Sequence, residues 1–400
     1  MLSKHRRHFM LGLAALVLAS ASHAPALDLK RLWKRTPERS RTTQDLEAAR
    51  TLALGEITGP TGSTALKSLQ KQLATSEDLR LLDAKAARYS FSGHSVGGRI
   101  DARLTERSGK TVFERSYAAP GLEENIKALA DDILFAITGR PGLASSQIAF
   151  VSDVSGTKQI YVCDADGTNV QQVTKHPNGA VSPALSPDFL AYTGYGTGFP
   201  CAMLIDMGAG AERRLSSTPG LNTGIAFAPD GRRVALTMSF VGNPEIFVID
   251  LASSHAVCVT ESVGTPCNPA WHPDGKRIVF SSNEGEGPQL YIVASDTESA
   301  AQRWPCGYSF ATDPEWSPEG DQIAFTARVG LDFAVVTKPY PNGPSKVVQK
   351  GGAQHPSWSP DGRSLTYVQS GQLWVHDLKT GKRRSVVSGR GEISEPRWMR

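Results

Sequence analysis

The pentapeptide Gly93-His94-Ser95-Val96-Gly97 has the G-x-S-x-G spacing of a serine hydrolase's nucleophile elbow. That chemistry needs a strand, a sharp turn and then a helix, so that the serine stands at a helix N-terminus above a large sheet. Here Ser95 is followed by Gly97-Gly98 and an alternating stretch, Ile100-Asp-Ala-Arg-Leu104. The pattern predicts a hairpin with a four-residue loop over 94–97, not an elbow. The triad order would also require an acid and then a histidine downstream in the same unit, and no histidine lies between His94 and His176. A second chemical motif, Gly59-Pro-Thr-Gly-Ser-Thr64, is glycine-rich ahead of a helical pattern but lacks the lysine of a phosphate-binding loop. Asp164-Ala-Asp-Gly167 resembles half a calcium loop without the further ligands at fixed spacing, and reads as a turn. No catalytic residue, metal site or cofactor is assigned.

The elements that position these residues follow from the repeats. One phrase recurs as Pro183-Ala-Leu-Ser-Pro-Asp188, Ala226-Phe-Ala-Pro-Asp-Gly231, Pro269-Ala-Trp-His-Pro-Asp-Gly275, Pro314-Glu-Trp-Ser-Pro-Glu-Gly320 and Pro356-Ser-Trp-Ser-Pro-Asp-Gly362, with a truncated copy at Pro396-Arg-Trp398. The large apolar residue recurs at steps of 42, 44, 45, 42 and 40 residues. Proline presets φ, aspartate bonds its own backbone and glycine takes the positive-φ corner, so each phrase ends a strand in a tight turn. Short β-rich runs follow: Leu190-Ala-Tyr, Val234-Ala-Leu, Ile278-Val-Phe, Ile323-Ala-Phe and Leu365-Thr-Tyr, then a third set such as Ile246-Phe-Val, and a weaker fourth such as Gln172-Val-Thr174 and Cys258-Val-Thr260. Four short strands at this period predict β-propeller blades, six in all. The first unit begins at its second strand (Ile148) and the last ends on a first strand (Trp398). Pairing the two would complete one blade from distant segments and remove the exposed edges. Trp271, Trp316 and Trp358 are expected as packing between blades.

The expected organisation is therefore mainly β: a six-bladed β-propeller over 147–400 preceded by a small α+β domain within 27–140. In that domain 63–75 is expected to be a helix capped by Ser63 or Thr64, and 122–138 an amphipathic helix stopped by Gly139. The strands are expected at 51–57, 89–93, 100–104 and 111–117. Residues 1–26 read as a signal peptide, with a basic start (Lys4, Arg6, Arg7), eleven apolar residues over 9–19, and Ala24-Pro25-Ala26 as the cleavage site. The mature chain is expected to be soluble, in the periplasm. The net charge is +4, of which that segment holds three charges and no acid, so the balance makes no case for a nucleic-acid partner. Residues 27–41 form a basic, polar arm. The five cysteines, Cys163, Cys201, Cys258, Cys267 and Cys306, include no C-x-x-C pair, which gives zinc or thioredoxin chemistry no support; one or two disulfides or buried free thiols are both open.

The signal segment, the α+β domain and the propeller phrases, with Ile137-Thr-Gly139, Gly142 and Gln147-Ile-Ala-Phe-Val151 at the junction, resemble the TolB family of the Tol–Pal system over roughly 50–400. The resemblance implies a non-enzymatic periplasmic scaffold whose propeller binds the peptidoglycan-associated lipoprotein Pal at the mouth of the central channel. Its N-terminal segment would reach TolA, and the assembly would support outer-membrane integrity and cell division. The arm over 27–41 is longer and more basic than the family's. The alternative is a propeller hydrolase or lyase acting on an envelope polymer, with His355 essential.

Strand one of each blade lines the channel, and the four-to-one connections and two-three loops share one face. The expected partner-binding mouth is Ser182, Asn222, Thr223, Gly224, Cys267, Asn268, Thr312, Asp313, Gln354, His355 and Glu395, rimmed by the loops 194–200 and 283–288. As a metal ring, His355 beside Ser182, Asn222, Asn268, Asp313 and Glu395 is a poor set, one histidine with two acids.

Overall fold

The computed structural model describes residues 50–399 apart from 75, 77, 197–198, 217, 262–263, 286 and 297–299. The expected signal peptide and basic arm lie outside the described residues. Two compact units part between Arg140 and Pro141.

In the first unit β1 (Thr51–Thr58) leads into α1 (Gly62–Ala74), followed by β2 (Arg80–Leu81), β3 (Tyr89–Val96), β4 (Arg99–Glu106), β5 (Thr111–Tyr117) and α2 (Leu122–Thr138). The sheet order is β2-β1-β3-β4-β5. β1 pairs in parallel with β2 and β3, and β3, β4 and β5 pair antiparallel. Leu69 and Leu73 of α1 and Ile126, Leu129 and Ile133 of α2 are buried, as are Leu52, Phe91, Ile100 and Leu104 of the sheet. Gly139, at φ 74°, caps α2 by donating its N–H to the Phe135 carbonyl. Two expectations need correction. The β3–β4 hairpin turns in two residues, Gly97 (φ 58°) and Gly98 (φ 87°), not over 94–97. Positive φ at both central positions suits the right-handed twist of the strands and extends β3 to Val96. Helix α1 begins at Gly62 rather than at a Ser63 or Thr64 cap. A Cβ at residue 62 would lie 1.9 Å from the Ile57 carbonyl oxygen, so glycine lets the helix start against β1.

The second unit consists of six four-stranded antiparallel sheets. Their inner strands are Ile393–Trp398, Ala180–Leu185, Asn222–Phe227, Cys267–Trp271, Ala311–Trp316 and Gln354–Trp358, here blades 1 to 6. Blade 1 is completed by Gln147–Ser152, Gln159–Asp164 and Gln171–Gln172, and Trp398 stands opposite Ile148. Two of the outermost strands, Gln171–Gln172 and Ala256–Cys258, end on the first residue of the runs expected for them.

The core is divided among six clusters, each shared by two neighbouring blades. Tryptophans anchor four of them. Trp271, Trp316 and Trp358 are 2%, 0% and 1% exposed. Trp271 and Trp358 donate their indole N–H to backbone carbonyls of the preceding inner strand, at Ala226 and Glu315. Trp398 sits in the cluster between blades 6 and 1, and its indole donates to Ser146 Oγ at 2.9 Å. None of the five cysteines is in a disulfide, and three of them are buried. Burial pushes the Cys163 thiol up to about 12, which keeps it protonated and unreactive.

Candidate binding face at the channel mouth

The serine motif and the glycine-rich loop turn out to be two halves of one joint. Ser95 is fully buried within β3, and its Oγ lies 2.6 Å from Thr61 Oγ1. His94 Nδ1 lies 2.8 Å from Thr58 Oγ1. A Cβ at residue 59 would meet the Ser95 carbonyl oxygen at 2.2 Å, so Gly59 lets the loop close on the strand. Ser95 and Thr61 occupy each other's hydroxyls, and Ser95 sits inside a strand, not at a helix N-terminus.

The propeller presents a different constellation. In every inner strand one residue adopts a left-handed backbone: Ser182 (φ 53°), Gly224 (64°), Asn268 (52°), Asp313 (51°), His355 (55°) and Glu395 (51°). The pairing with the second strand shifts register at each of these points, so each is a β-bulge. In five blades a proline follows. A non-glycine residue with positive φ costs about 1–3 kcal/mol, and such residues persist where the surroundings over-determine them. The bulges set one residue of each inner strand out of the regular ladder.

These positions are linked around the channel. The Ser182 N–H donates to Glu395 Oε2 at 2.6 Å, and Ser182 Oγ lies 3.1 Å from Thr223 Oγ1. A Cβ on Gly224 would stand 3.2 Å from the Asn268 nitrogen. Asn268 Nδ2 donates to Asp313 Oδ1 at 2.7 Å, and Asp313 Oδ2 lies 3.3 Å from His355 Nδ1. The His355 N–H donates to Thr326 Oγ1. Thr312 Oγ1 is 3.4 Å and Cys267 Sγ 3.2 Å from Ser281 Oγ, which ties the preceding positions together. Gln354 is half-buried in the corresponding place of blade 6.

Asn222 does not belong to this ring, which is a correction to the expected mouth. It is fully buried, and its amide is consumed by Ser216, Thr218 and the carbonyls of Pro200 and Thr218. Its counterparts at the other five blades are Ala180, Pro266, Ala311, Ala353 and Ile393, all buried. Blade 3 lacks the proline that marks the bulge elsewhere, and Gly224 takes the bulge position. Asn222 instead fixes the connection that leads into the blade.

Sequence reasoning placed the loop 194–200, with Tyr195 and Phe199, on the rim, but did not single out the apolar residues of the other loops on this face. Among the described residues, the propeller's exposed large apolar side chains are Val154, Tyr195, Phe199, Leu221, Phe240, Val241 and Leu331. Leu221 lies in a four-to-one connection and the other six lie in two-three loops, so all seven share the face on which the ring opens. Five of them crowd blades 2 and 3. The signal was available, because each loop's face follows from counting antiparallel strands. The other histidines are dispersed: His272 is buried beside Asp274, His376 is buried, and His255 is exposed in a turn. Among the described residues no three His, Cys, Asp or Glu side chains gather as a metal-holding group.

A family model for the TolB beta propeller domain matches residues 135–398. The Tol-Pal system protein TolB of Gluconobacter oxydans is 32% identical over 305 residues, 73% of this chain and 67% of that protein. A TolB homolog of Chlorobium chlorochromatii is 36% identical over 169 residues, 40% of this chain, which thus spans 38% of that relative's length. The crystal structure of TolB from Acinetobacter baumannii is similar with a TM-score of 0.70, covering 88% of this chain and 97% of that one at 24% identity, a likeness of fold. With six blades closed on themselves and the propeller matched almost from end to end, the chain belongs to the TolB family.

Proposed function

We propose that this protein is a non-enzymatic scaffold of the Tol–Pal system in the periplasm, and that the channel mouth binds the peptidoglycan-associated lipoprotein Pal. The observation that carries this reading is the gathering of all seven exposed large apolar residues of the described propeller on the face where the polar ring opens. Exposed apolar side chains gathered on one face mark a protein-binding site. The names of the relatives, Tol-Pal system protein TolB, supply the partner's class. In this reading Ser182, Thr223, Gly224, Cys267, Asn268, Thr312, Asp313, Gln354, His355 and Glu395 form the polar centre, and the apolar loops form the rim. A role in outer-membrane integrity and cell division, and a contact with TolA through 27–41, belong to the same proposal.

The test is calorimetric titration with the soluble domain of Pal from the same bacterium. Wild-type protein should bind. Changing Leu221 and Val241 together to serine should weaken binding about 10–100-fold, about 1.4 kcal/mol per decade. Absence of binding by the wild type, or unchanged affinity in the double variant, would reject the assignment.

A further inference from the structure

The ring is not uniform in charge. Blades 2 to 4 contribute Ser182, Gly224 and Asn268, whereas blades 5, 6 and 1 contribute Asp313, His355 and Glu395. The charged arc lies opposite the sector where the exposed apolar residues crowd. Asp313 has a side chain only 6% exposed, while that of His355 is 27% exposed. Two residues beyond Glu395, Arg397 acts on both Asp313 and His355. Burial pushes the Asp313 carboxyl up, but the charges of His355 and Arg397 and hydrogen bonds from His355 and Thr326 hold it below the usual carboxylate range. Burial likewise pushes His355 down, but Asp313 and Glu395 outweigh burial and Arg397 and raise it above the ordinary histidine value.

We propose that this arc receives a cationic side chain, a lysine or arginine, from the protein bound at the mouth, and that the proton on His355 competes with it. The proposal rests on the reading above that the mouth binds a protein. With His355 protonated, two anions (Asp313, Glu395) face two cations (His355, Arg397), and the arc is neutral. Once His355 loses its proton the arc carries one net negative charge, held in a half-buried site where Coulomb attraction is stronger than in water. The charged groups facing His355 are Asp313 from blade 5 and Glu395 and Arg397 from blade 1. The entering cation pairs with Asp313 and Glu395, and the imidazole proton leaves to solvent. One proton is released for each cation bound, so affinity rises by up to about tenfold per pH unit while His355 is mostly protonated, and levels off once it is neutral.

The experiment measures the Kd for Pal between pH 6 and 9 for wild-type protein and His355→Gln. The wild type should tighten with rising pH, and the variant should lose that slope, whatever its absolute affinity. Equal slopes, or a wild type that weakens as pH rises, would overturn the proposal. A second arm needs no Pal. The His355 imidazole is followed by NMR during titration with an end-blocked Gly-Arg-Gly peptide. The peptide should lower the pH at which His355 loses its proton, and Asp313→Asn with Glu395→Gln should abolish that effect. No peptide-dependent shift overturns the arc even if Pal binds, whereas a shift without Pal binding at any pH counts against the Pal assignment alone.

Discussion

The two faces of the propeller are made by the same strands and differ in what their turns leave unfinished. On one face the strand 1–2 and 3–4 turns satisfy themselves. Asp230 Oδ1 accepts from the N–H groups of Arg232 and Arg233, Asp250 Oδ1 from those of Ala252 and Ser253, and Asp377 Oδ1 from those of Lys379 and Thr380. Backbone and hydroxyl bonds from Ser253 lower the Asp250 carboxyl, and at Asp377 burial pushes the carboxyl up but bonds from Thr380 and Lys379 outweigh it and hold it low. On the opposite face the loops expose tyrosine, phenylalanine, leucine and valine around a ring of bulged polar residues. A repeat therefore fixes stability at one end of every strand and leaves the other end free to vary. Binding surfaces are commonly carried on such loops above a rigid scaffold.

The largest test of this contrast breaks the wall that both faces share. Trp398→Ala removes a buried indole between blades 6 and 1 and should cost about 3–5 kcal/mol in chemical denaturation. A cost below about 1 kcal/mol would mean that the ring is not sealed there. A smaller change separates the faces. Asp361→Ala removes the acceptor for the Arg363 N–H and the Ser359 hydroxyl. It should cost about 1 kcal/mol of stability and leave Pal affinity unchanged; an affinity loss would place the partner on the wrong face. The smallest effect concerns pH. The raised His355 value means that the folded state holds this proton more tightly than the unfolded chain. That stabilisation is fully present below about pH 6.5 and is lost as pH rises through the raised folded value. The Tm advantage of wild type over His355→Gln should therefore be larger at pH 5.5 than at pH 8.5. The reverse order would dissolve the Asp313–His355 pair as a stabilising contact.

Much of this organisation was legible in the residues, for reasons that can be stated. Pro-Asp-Gly turns carry their own backbone chemistry, so the phrase located the first strand of five blades, and Trp398 with Ile148 located the sixth. The ring was partly legible because a proline follows the bulge in five blades. It failed at Asn222 because blade 3 uses glycine without proline, which displaced the register by two. The Gly97-Gly98 turn was misplaced because a histidine and serine ahead of two glycines look like loop residues, yet cross-strand pairing extends through them. The rim was read only in part: the loop 194–200 was placed on this face, but Val154, Leu221, Phe240, Val241 and Leu331 were not weighed by the face on which their loops emerge.

The strand that finishes blade 1 has a consequence for assembly. Trp398 and Ser146, which bond each other, stand 252 positions apart along the chain. Until the segment Ile393–Trp398 is synthesised and delivered, five sheets can stack while the sixth keeps a naked edge beside Ile148. The last segment of the propeller to appear thus acts as the latch for the first, and such distant pairing is slow to form. A chain without Ile393–Trp398 would be a wheel that cannot shut.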